Sequence, residues 1–287
     1  MNGVIIINKH KGCTSHDIVY QVKKMTNQKV GHTGTLDPMA TGVLPLLIGK
    51  GTLCSKYLIN HDKIYEVKLQ LGKRTDTLDA EGKVVEEKMV LKSILEELNV
   101  KKVLLTFLGK QEQFPPIYSA IKVNGKKLYE YARMGKTVEI KPRQIEIYKI
   151  ELNNIELEEK TICFTVSCSK GTYIRSLCEQ IAVKLGTIGY MCDLKRLQVG
   201  DFNISDSITL EELQNNQDDI KEYIIPIERL FQNNGSIELT DKKLQLFLNG
   251  VQLTMDKQDG IYKIYNNNKF IGIGIIKNSL LKRDIIL

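Results

Sequence analysis

The sequence predicts an α+β fold in which one large domain carries a small β-rich module at its carboxyl end. A half-buried strand is indicated over 65–71, because apolar and polar side chains alternate there. A helix is indicated over 174–185, because its apolar residues recur at the spacing of one helix face. At 287 residues the chain is long enough to bury a sizeable core in a large domain beside a smaller one.

The amino-terminal part of the chain predicts a strand, a helix and a second, buried strand. The first strand covers 4–8. Thr14 followed by Asp17 has the spacing of a capping box, which predicts a helix that continues to about Met25. The apolar run 43–48 follows a glycine-rich stretch and predicts the buried strand.

The middle of the chain predicts further elements of both types. Residues 92–98 are expected to be helical, with Leu98 on the apolar side, and 162–166 alternate as a strand. Thr209 is expected to cap a short helix. The stretch 232–236 is rich in asparagine, glycine and serine, which predicts a linker.

After this linker, short strands that include 261–265 and 270–276 indicate a terminal β-rich module. With about 50 residues, such a module is marginal as an independent unit. We therefore expect it to pack on the large domain.

Composition excludes some classes of protein and leaves others open. Forty-one basic against 34 acidic residues give a net charge of +7, which alone does not establish a nucleic-acid partner. No apolar run approaches the ~20 residues of a membrane helix, and the first residues lack a signal-peptide pattern. The six cysteines form no CxxC pair and no metal-ligand spacing. We expect a cytoplasmic protein with reduced thiols and no membrane association.

A glycine-rich stretch from Gly31 to Gly49 leads into the buried strand and carries Asp37. Gly34 and Gly42 are expected to allow backbone turns that other residues resist, and Pro38 pushes Asp37 towards extended geometry. A carboxylate held so rigidly is a candidate reactive group. An aspartate before proline is also a common turn residue that bonds its own backbone, so the residues alone leave both interpretations open.

The stretch from Gly31 to Pro45 resembles the signature loop of the TruB-type tRNA pseudouridine synthases. Further segments resemble that family in the same order along the chain. They are 65–67, 72–79, 116–122, 125–133, 169–175 and 194–197. The resemblance covers residues 1 to about 235 closely and the remaining residues more loosely.

The resemblance implies a fold and a domain organisation. The fold would be a mixed, mainly antiparallel central sheet flanked by helices, as in pseudouridine synthases. The catalytic domain would cover 1–235, with an RNA-gripping insertion at about 113–143. A PUA-like module would cover 236–287.

The resemblance also implies an activity, the isomerisation of uridine to pseudouridine at position 55 in the T-loop of tRNA. The nucleotide would be flipped out, its N-glycosidic bond cleaved, and the base rejoined to C1′ through C5. This chemistry requires no cofactor or metal, and no obligate protein partner is expected. Two other functions stay open, namely a guide-RNA-dependent synthase subunit and a non-catalytic tRNA-binding chaperone.

Three catalytic residues are carried over by resemblance. Asp37 would be the catalytic carboxylate and Tyr65 the active-site tyrosine, although the strand pattern fits a core tyrosine equally well. Arg175 lies near the start of the predicted helix, where the helix dipole is unfavourable for a cation. It would need an anion such as Asp37, which it would hold ionised and aimed. An exposed arginine is the alternative.

Four further residues are assigned to substrate contact or to support of the site. By resemblance, His32 would wedge into the space left by the flipped nucleotide, and Leu194 would form a wall of the pocket. Asp79 would support the site, although a solvated turn carboxylate is the default interpretation. Lys9 would be a supporting residue, followed here by His10 where the family usually has proline.

The segment 113–143 concentrates positive charge, with seven basic against two acidic residues and three tyrosines between them. Basic side chains with interleaved tyrosines suit phosphate neutralisation and base stacking. Lys122, Lys126, Lys127 and Arg133 are the candidate tRNA contacts. A solvated charged face is the alternative.

Overall fold

The computed structural model describes all residues from Met1 to Leu287. Strands and helices are interspersed along the larger part of the chain. In chain order these elements are β1 (Gly3–Lys9), α1 (Ser15–Thr26), β2 (Val30–His32), β3 (Thr41–Ile48), α2 (Ser55–Leu58), β4 (Lys63–Leu71), β5 (Lys73–Thr75), β6 (Val84–Glu87), α3 (Glu97–Leu105), β7 (Gly109–Gln113), β8 (Lys122–Val123), β9 (Lys126–Lys127), α4 (Leu128–Arg133), β10 (Arg143–Glu156), β11 (Thr161–Cys168), α5 (Ile174–Lys184), β12 (Gly189–Val199), β13 (Phe202–Asn203), β14 (Ile208–Thr209), α6 (Leu210–Asn215), β15 (Ile225–Pro226) and α7 (Ile227–Leu230).

The carboxyl-terminal part adds a second, smaller set of elements. They are β16 (Gly235–Glu238), α8 (Asp241–Leu248), β17 (Leu253–Thr254), β18 (Gly260–Asn266), β19 (Lys269–Lys277) and β20 (Leu280–Ile286). Short 3₁₀ segments occur at Gly49–Cys54, Lys92–Leu95, Ile204–Asp206 and Gln217–Tyr223.

One large sheet forms the centre of the molecule, in the order β14-β1-β3-β12-β4-β11-β10-β7. Three short strands extend it, because β2 pairs with β3, β13 with β12 and β15 with β1. Its pairings are antiparallel except for β1 with β14 and β3 with β12. The expected mixed, mainly antiparallel sheet is confirmed.

The terminal strands form a separate sheet in the order β16-β18-β19-β20-β17. This module packs on the large sheet through a shared apolar cluster. The cluster joins Ile273 and Ile285 of the module to residues such as Val43 and Val199. The Tyr57 hydroxyl also donates a hydrogen bond to Asp284 Oδ2 (2.5 Å). The expected docking of the module is confirmed.

Several predicted elements are confirmed with their faces. Thr14 and Asp17 form the capping box at the start of α1. Alternate residues of β4 from Lys63 onwards are buried, which includes Tyr65. The apolar face of α5 is buried from Ile174 to Ile181.

The helix predicted over 92–98 is wrong. Lys92–Leu95 is a 3₁₀ turn, and Glu96 then takes extended backbone (φ −64°, ψ 130°) before α3 begins. This break changes the helical phase, so that Leu98 is 67% exposed and α3 instead buries Val100 and Leu104.

The linker predicted over 232–236 is partly wrong. Gly235 and Ser236 belong to β16, where they pair with Tyr262 and Lys263 of β18. Backbone pairing with a strand far along the chain overrides the local composition of these residues.

Candidate active site

Asp37 lies in the loop between β2 and β3, and the backbone on both sides of it is fixed by buried polar side chains. The Ser15 hydroxyl donates to the carbonyl of Leu36 (3.1 Å) and accepts from its N–H (2.9 Å). The Lys9 ammonium donates to the carbonyls of Pro38 (3.1 Å) and Ala40 (2.6 Å). The aspartate is therefore presented on a rigid segment, as expected from the sequence.

The two glycines of this loop differ in their roles. Gly42 has a φ of +103°, and a Cβ there would lie 2.2 Å from the carbonyl oxygen of Arg196. Only glycine suits this close approach of β3 to β12. Gly34 does not have a positive φ, and a Cβ there would be 3.5 Å from Arg196 Nη1, an ordinary contact. The prediction that Gly34 provides a special turn is wrong.

Arg175, at the start of α5, pairs with Asp37. Its Nε lies 3.2 Å from Asp37 Oδ2 and its Nη2 3.5 Å from Asp37 Oδ1. It also donates to the carbonyls of Tyr118 (3.0 Å) and Thr77 (3.3 Å). The arginine side chain is only 9% exposed, so its charge lies away from bulk water. The expected pairing of these two residues is present.

Asp79 is the second carboxylate on Arg175, with its Oδ2 3.2 Å from Nη1. Its Oδ1 accepts hydrogen bonds from the Thr77 hydroxyl (2.6 Å) and the Glu81 N–H (3.1 Å). Asp79 is only 3% exposed. The default interpretation of a solvated turn carboxylate is therefore wrong for Asp79, because its turn packs beside β12, where it forms a bridge with Met191.

Opposing influences act on the Asp37 carboxyl, whose side chain is 31% exposed. Burial raises its pKa, the Arg175 guanidinium lowers it, and the Asp79 carboxylate raises it again. The net effect is a pKa above the ordinary value. Arg175 thus offsets part of the cost of burying the charge, but not all of it.

A cavity of about 520 Å³ opens beside Asp37 and Arg175. Its walls include Tyr65 from β4 and Leu194 from β12, and these two predicted residues therefore meet the carboxylate at one site. About half of the residues that line the cavity are apolar, and the charged ones are Asp37, Lys63, Lys170, Arg175 and Arg196. Apolar walls with a few convergent polar groups suit a flat ring that must be held in one orientation.

Tyr65 is 8% exposed and directed to the inner face of the sheet. Burial raises the pKa of its hydroxyl group, and the guanidinium of Arg196 opposes that shift. Arg196 lines the same cavity, although the sequence pattern predicts no role for it. The signal that could have identified it is its position two residues after Leu194, on the same face of a strand.

Lys9 and His32 do not line the cavity. Lys9 is fully buried and donates to three backbone carbonyls, including that of His10, so it supports the loop. His32 is half-buried, and its Nδ1 accepts a hydrogen bond from the Gly34 N–H (3.3 Å). Burial lowers the pKa of both side chains.

The basic segment lies next to the cavity. Lys122 and Lys126 are in the hairpin β8–β9, which leads into α4. The charged groups of Lys127 and Arg133 each lie 5.3 Å from the ring centre of Tyr129. Tyr129 itself lines the cavity, as does Tyr118, and the sequence does not predict this contact between the basic segment and the cavity.

No helix of the structure is long and apolar enough to cross a membrane. No three histidine, cysteine, aspartate or glutamate side chains are grouped so that they could hold a metal ion.

Three family models match the chain one after another. Residues 22–174 match the TruB family pseudouridylate synthase (N terminal domain). Residues 175–232 match the tRNA pseudouridylate synthase B C-terminal domain, and 235–282 match Pseudouridine synthase II TruB, C-terminal.

Curated relatives are similar over nearly the whole chain. The tRNA pseudouridine synthase B of Clostridium kluyveri is 46% identical, covering 98% of this chain and 98% of its own. That of Aquifex aeolicus is 40% identical, covering 100% of both chains. Among solved structures, a chain from a Cbf5–Nop10–Gar1 complex is 26% identical with a TM-score of 0.71, covering 99% of this chain and 84% of its own.

Proposed function

Because the chain belongs to the TruB family of tRNA pseudouridine synthases, we propose that it isomerises uridine to pseudouridine at position 55 in the T-loop of tRNA. The observation that carries this proposal is the Asp37 carboxylate, held by Arg175 beside a cavity that Tyr65 and Leu194 line. The base must enter this cavity, so the nucleotide is flipped out of its stack.

The reaction changes two bonds and moves two protons. The N1–C1′ bond breaks and the C5–C1′ bond forms, while a proton leaves C5 and a proton is taken up at N1. The product is an isomer of the substrate, so no electrons are gained or lost. Three steps are open to Asp37: attack at C1′, attack at C6 of the base, or removal of a proton from the sugar.

Each of these steps needs Asp37 as an anion. Arg175 stabilises the charged form and fixes its direction through a two-point contact. Asp79 fixes Arg175 from the other side. We assign Asp79 and Lys9 as positioning residues, because both are buried and bonded within the protein.

The other residues hold the base and the RNA. Tyr65 stacks on the uracil ring and relays a proton through its hydroxyl group, and Leu194 forms an apolar wall. His32 fills the space that the flipped nucleotide leaves. Lys122, Lys126, Lys127 and Arg133 neutralise tRNA phosphates.

We propose two units, a catalytic domain over 1–235 with the RNA-gripping insertion at about 113–143, and a PUA-like module over 236–287. The protein would act in the cytoplasm on the T-loop and T-stem, without an obligate protein partner.

A guide-RNA-dependent synthase subunit stays the alternative, since a similar chain occurs in a Cbf5–Nop10–Gar1 complex, an assembly with other proteins. The higher identity to tRNA pseudouridine synthase B over the whole chain favours direct recognition of tRNA. A non-catalytic chaperone is disfavoured because Asp37, Tyr65 and Arg175 converge on one cavity.

The test is to incubate the purified protein with tRNA and, separately, with a bare T-stem-loop RNA, and to map pseudouridine by sequence position. We expect modification at position 55 in both RNAs without any guide. Modification that requires an added guide RNA would support the alternative enzyme class. Binding without any modification would support the chaperone.

A further inference from the structure

Arg196 is a cation in an unusual environment. It is 1% exposed and is among the largest fully buried side chains of the molecule. It takes part in none of the ion pairs of the structure. Burying a charge without an anionic partner is unfavourable, so such a residue calls for a specific explanation.

Its backbone contacts explain only part of this arrangement. Nε donates to the carbonyl of Val43 (2.7 Å) and Nη2 to that of Gly34 (3.0 Å), which ties β3 and the Asp37 loop to β12. Neutral donors could bond these two neutral carbonyls. Asp37, the nearby anion of the cavity, is already paired with Arg175.

Strand register places Tyr65 beside Arg196. The two residues are paired across the antiparallel strands β4 and β12, and side chains of paired residues lie on the same face of a sheet. Both line the cavity, and the positive charge of Arg196 lowers the pKa of the Tyr65 hydroxyl against the opposing effect of burial. A cation beside the phenol oxygen favours its ionised form and leaves the phenol proton to point away from the charge.

We propose that Arg196 is the positioning residue of the Tyr65 hydroxyl, and that its charge stabilises the phenolate formed during proton transfer. The inference rests on the proposed function. The hydroxyl gives its proton to N1 of the base, and the resulting phenolate takes the proton that leaves C5. Tyr65 returns to its starting state, so no external acid or base is required.

Other charged or titratable groups face this pair and act in both directions. Around Tyr65 they are Asp37, which opposes ionisation of the phenol, and Cys168. Around Arg196 they are Asp37, Lys9, His32 and Lys63. Because these groups are unchanged in the variants below, differences between variants report on Arg196 itself.

The test is a double-mutant cycle on the single-turnover rate of pseudouridine formation. Arg196→Gln and Arg196→Lys are each made in the wild-type protein and in Tyr65→Phe. In the wild-type background, Arg196→Gln should lower the rate by roughly 10²-fold, as loss of a donor to a developing anion typically does. Arg196→Lys retains the charge but not the planar fork, so its loss should be smaller.

In the Tyr65→Phe background, both substitutions should change the rate by less than about twofold, because no phenolate remains to be stabilised. Affinity for tRNA should be similar in all variants. Any structural effect through Val43 and Gly34 is present in both backgrounds and therefore cancels. If Arg196→Gln does not fold, the Lys cycle gives the same comparison.

If the Arg196 substitutions lower the single-turnover rate by the same factor in both backgrounds, the inference is overturned and Arg196 is only a structural anchor. That result differs from failure of the proposed function, in which the wild-type protein itself would form no pseudouridine.

Discussion

Arg175 lies between two carboxylates, and this arrangement contributes to how Asp37 responds to pH. One guanidinium shared by Asp37 and Asp79 cannot fully neutralise both of them. The carboxylates also repel each other, so Asp79 raises the pKa of Asp37 in addition to the effect of burial. The rate should therefore rise with pH through an Asp37 pKa above the ordinary value.

Replacing Asp79 tests this interaction directly. Asp79→Asn removes the repulsion and frees Arg175 for Asp37 alone, and both effects lower the pKa of Asp37. The acid limb of the single-turnover rate profile should therefore move to lower pH. A limb that moves to higher pH would mean that Asp79 acts mainly by holding Arg175 in place. Glu179→Gln is the control, because it also replaces a carboxylate by an amide, but in the exposed ion pair with Arg74.

Among single elements, the loop before β3 shows why the fold requires glycine at one position and not at another. Gly42→Ala would place a Cβ against the Arg196 carbonyl in a left-handed conformation. We expect it to lower the free energy of unfolding by more than about 2 kcal/mol. Gly34→Ala, the matched control in the same loop, should cost much less. Denaturant titration of both variants measures this, and equal losses would contradict the close approach of β3 and β12.

The segment from β8 to α4 is expected to bind RNA through charge. Neutralising Lys126, Lys127 and Arg133 together should weaken tRNA binding and flatten its salt dependence, because each lost phosphate contact removes about 0.9 from the log–log slope on a duplex. A control triple variant at Lys92, Lys101 and Lys102 has the same change in net charge. If both variants keep the wild-type slope, the segment is only a solvated face.

Elements with a regular pattern can be predicted from the sequence, but their partners cannot. Alternation identifies β4 and places Tyr65 inward, and helical spacing places Arg175 off the apolar face of α5. Neither pattern reports which strand lies beside another. Arg196 therefore goes unassigned, because its role depends on the pairing of β12 with β4. Leu98 is misplaced for a related reason, since one extended residue resets the phase of a helix.

At the scale of the whole molecule, the terminal module shares an apolar cluster with the large sheet. Ile285 is 1% exposed within that cluster. Ile285→Ala should cost about 2–5 kcal/mol and lower the temperature of a single cooperative unfolding transition. Ile276→Ala, in the module's own core, is the comparison. Two separate transitions, with the larger one unaffected by Ile285→Ala, would show that the module is not coupled to the part of the chain that forms the large sheet.

The sequence predicts the overall fold and the candidate active site to different degrees. The loop with Asp37 is identified because its glycine and proline pattern is local and extends over a long motif. The burial of Asp79 is not predicted, because the sequence of its turn is polar. The turn becomes buried only when it packs beside β12 and Asp79 pairs with Arg175. The small size of the module predicts that it docks, whereas the residues that make the contact are evident only from the folded chain.

The central claim is that Asp37 is the catalytic carboxylate of a tRNA pseudouridine synthase. Asp37→Asn keeps the size of the side chain and removes its charge. Folding raises the pKa of Asp37, so the ionised carboxylate lowers the free energy of unfolding at neutral pH. The variant, which lacks this charge, should therefore be at least as stable as the wild type. The most direct measurement is single-turnover formation of pseudouridine at position 55, beside tRNA affinity, for wild type, Asp37→Asn and the exposed control Asp219→Asn. We predict no turnover by Asp37→Asn with nearly unchanged affinity, and normal turnover by the control. A folded Asp37→Asn that isomerises uridine near the wild-type rate would contradict the account.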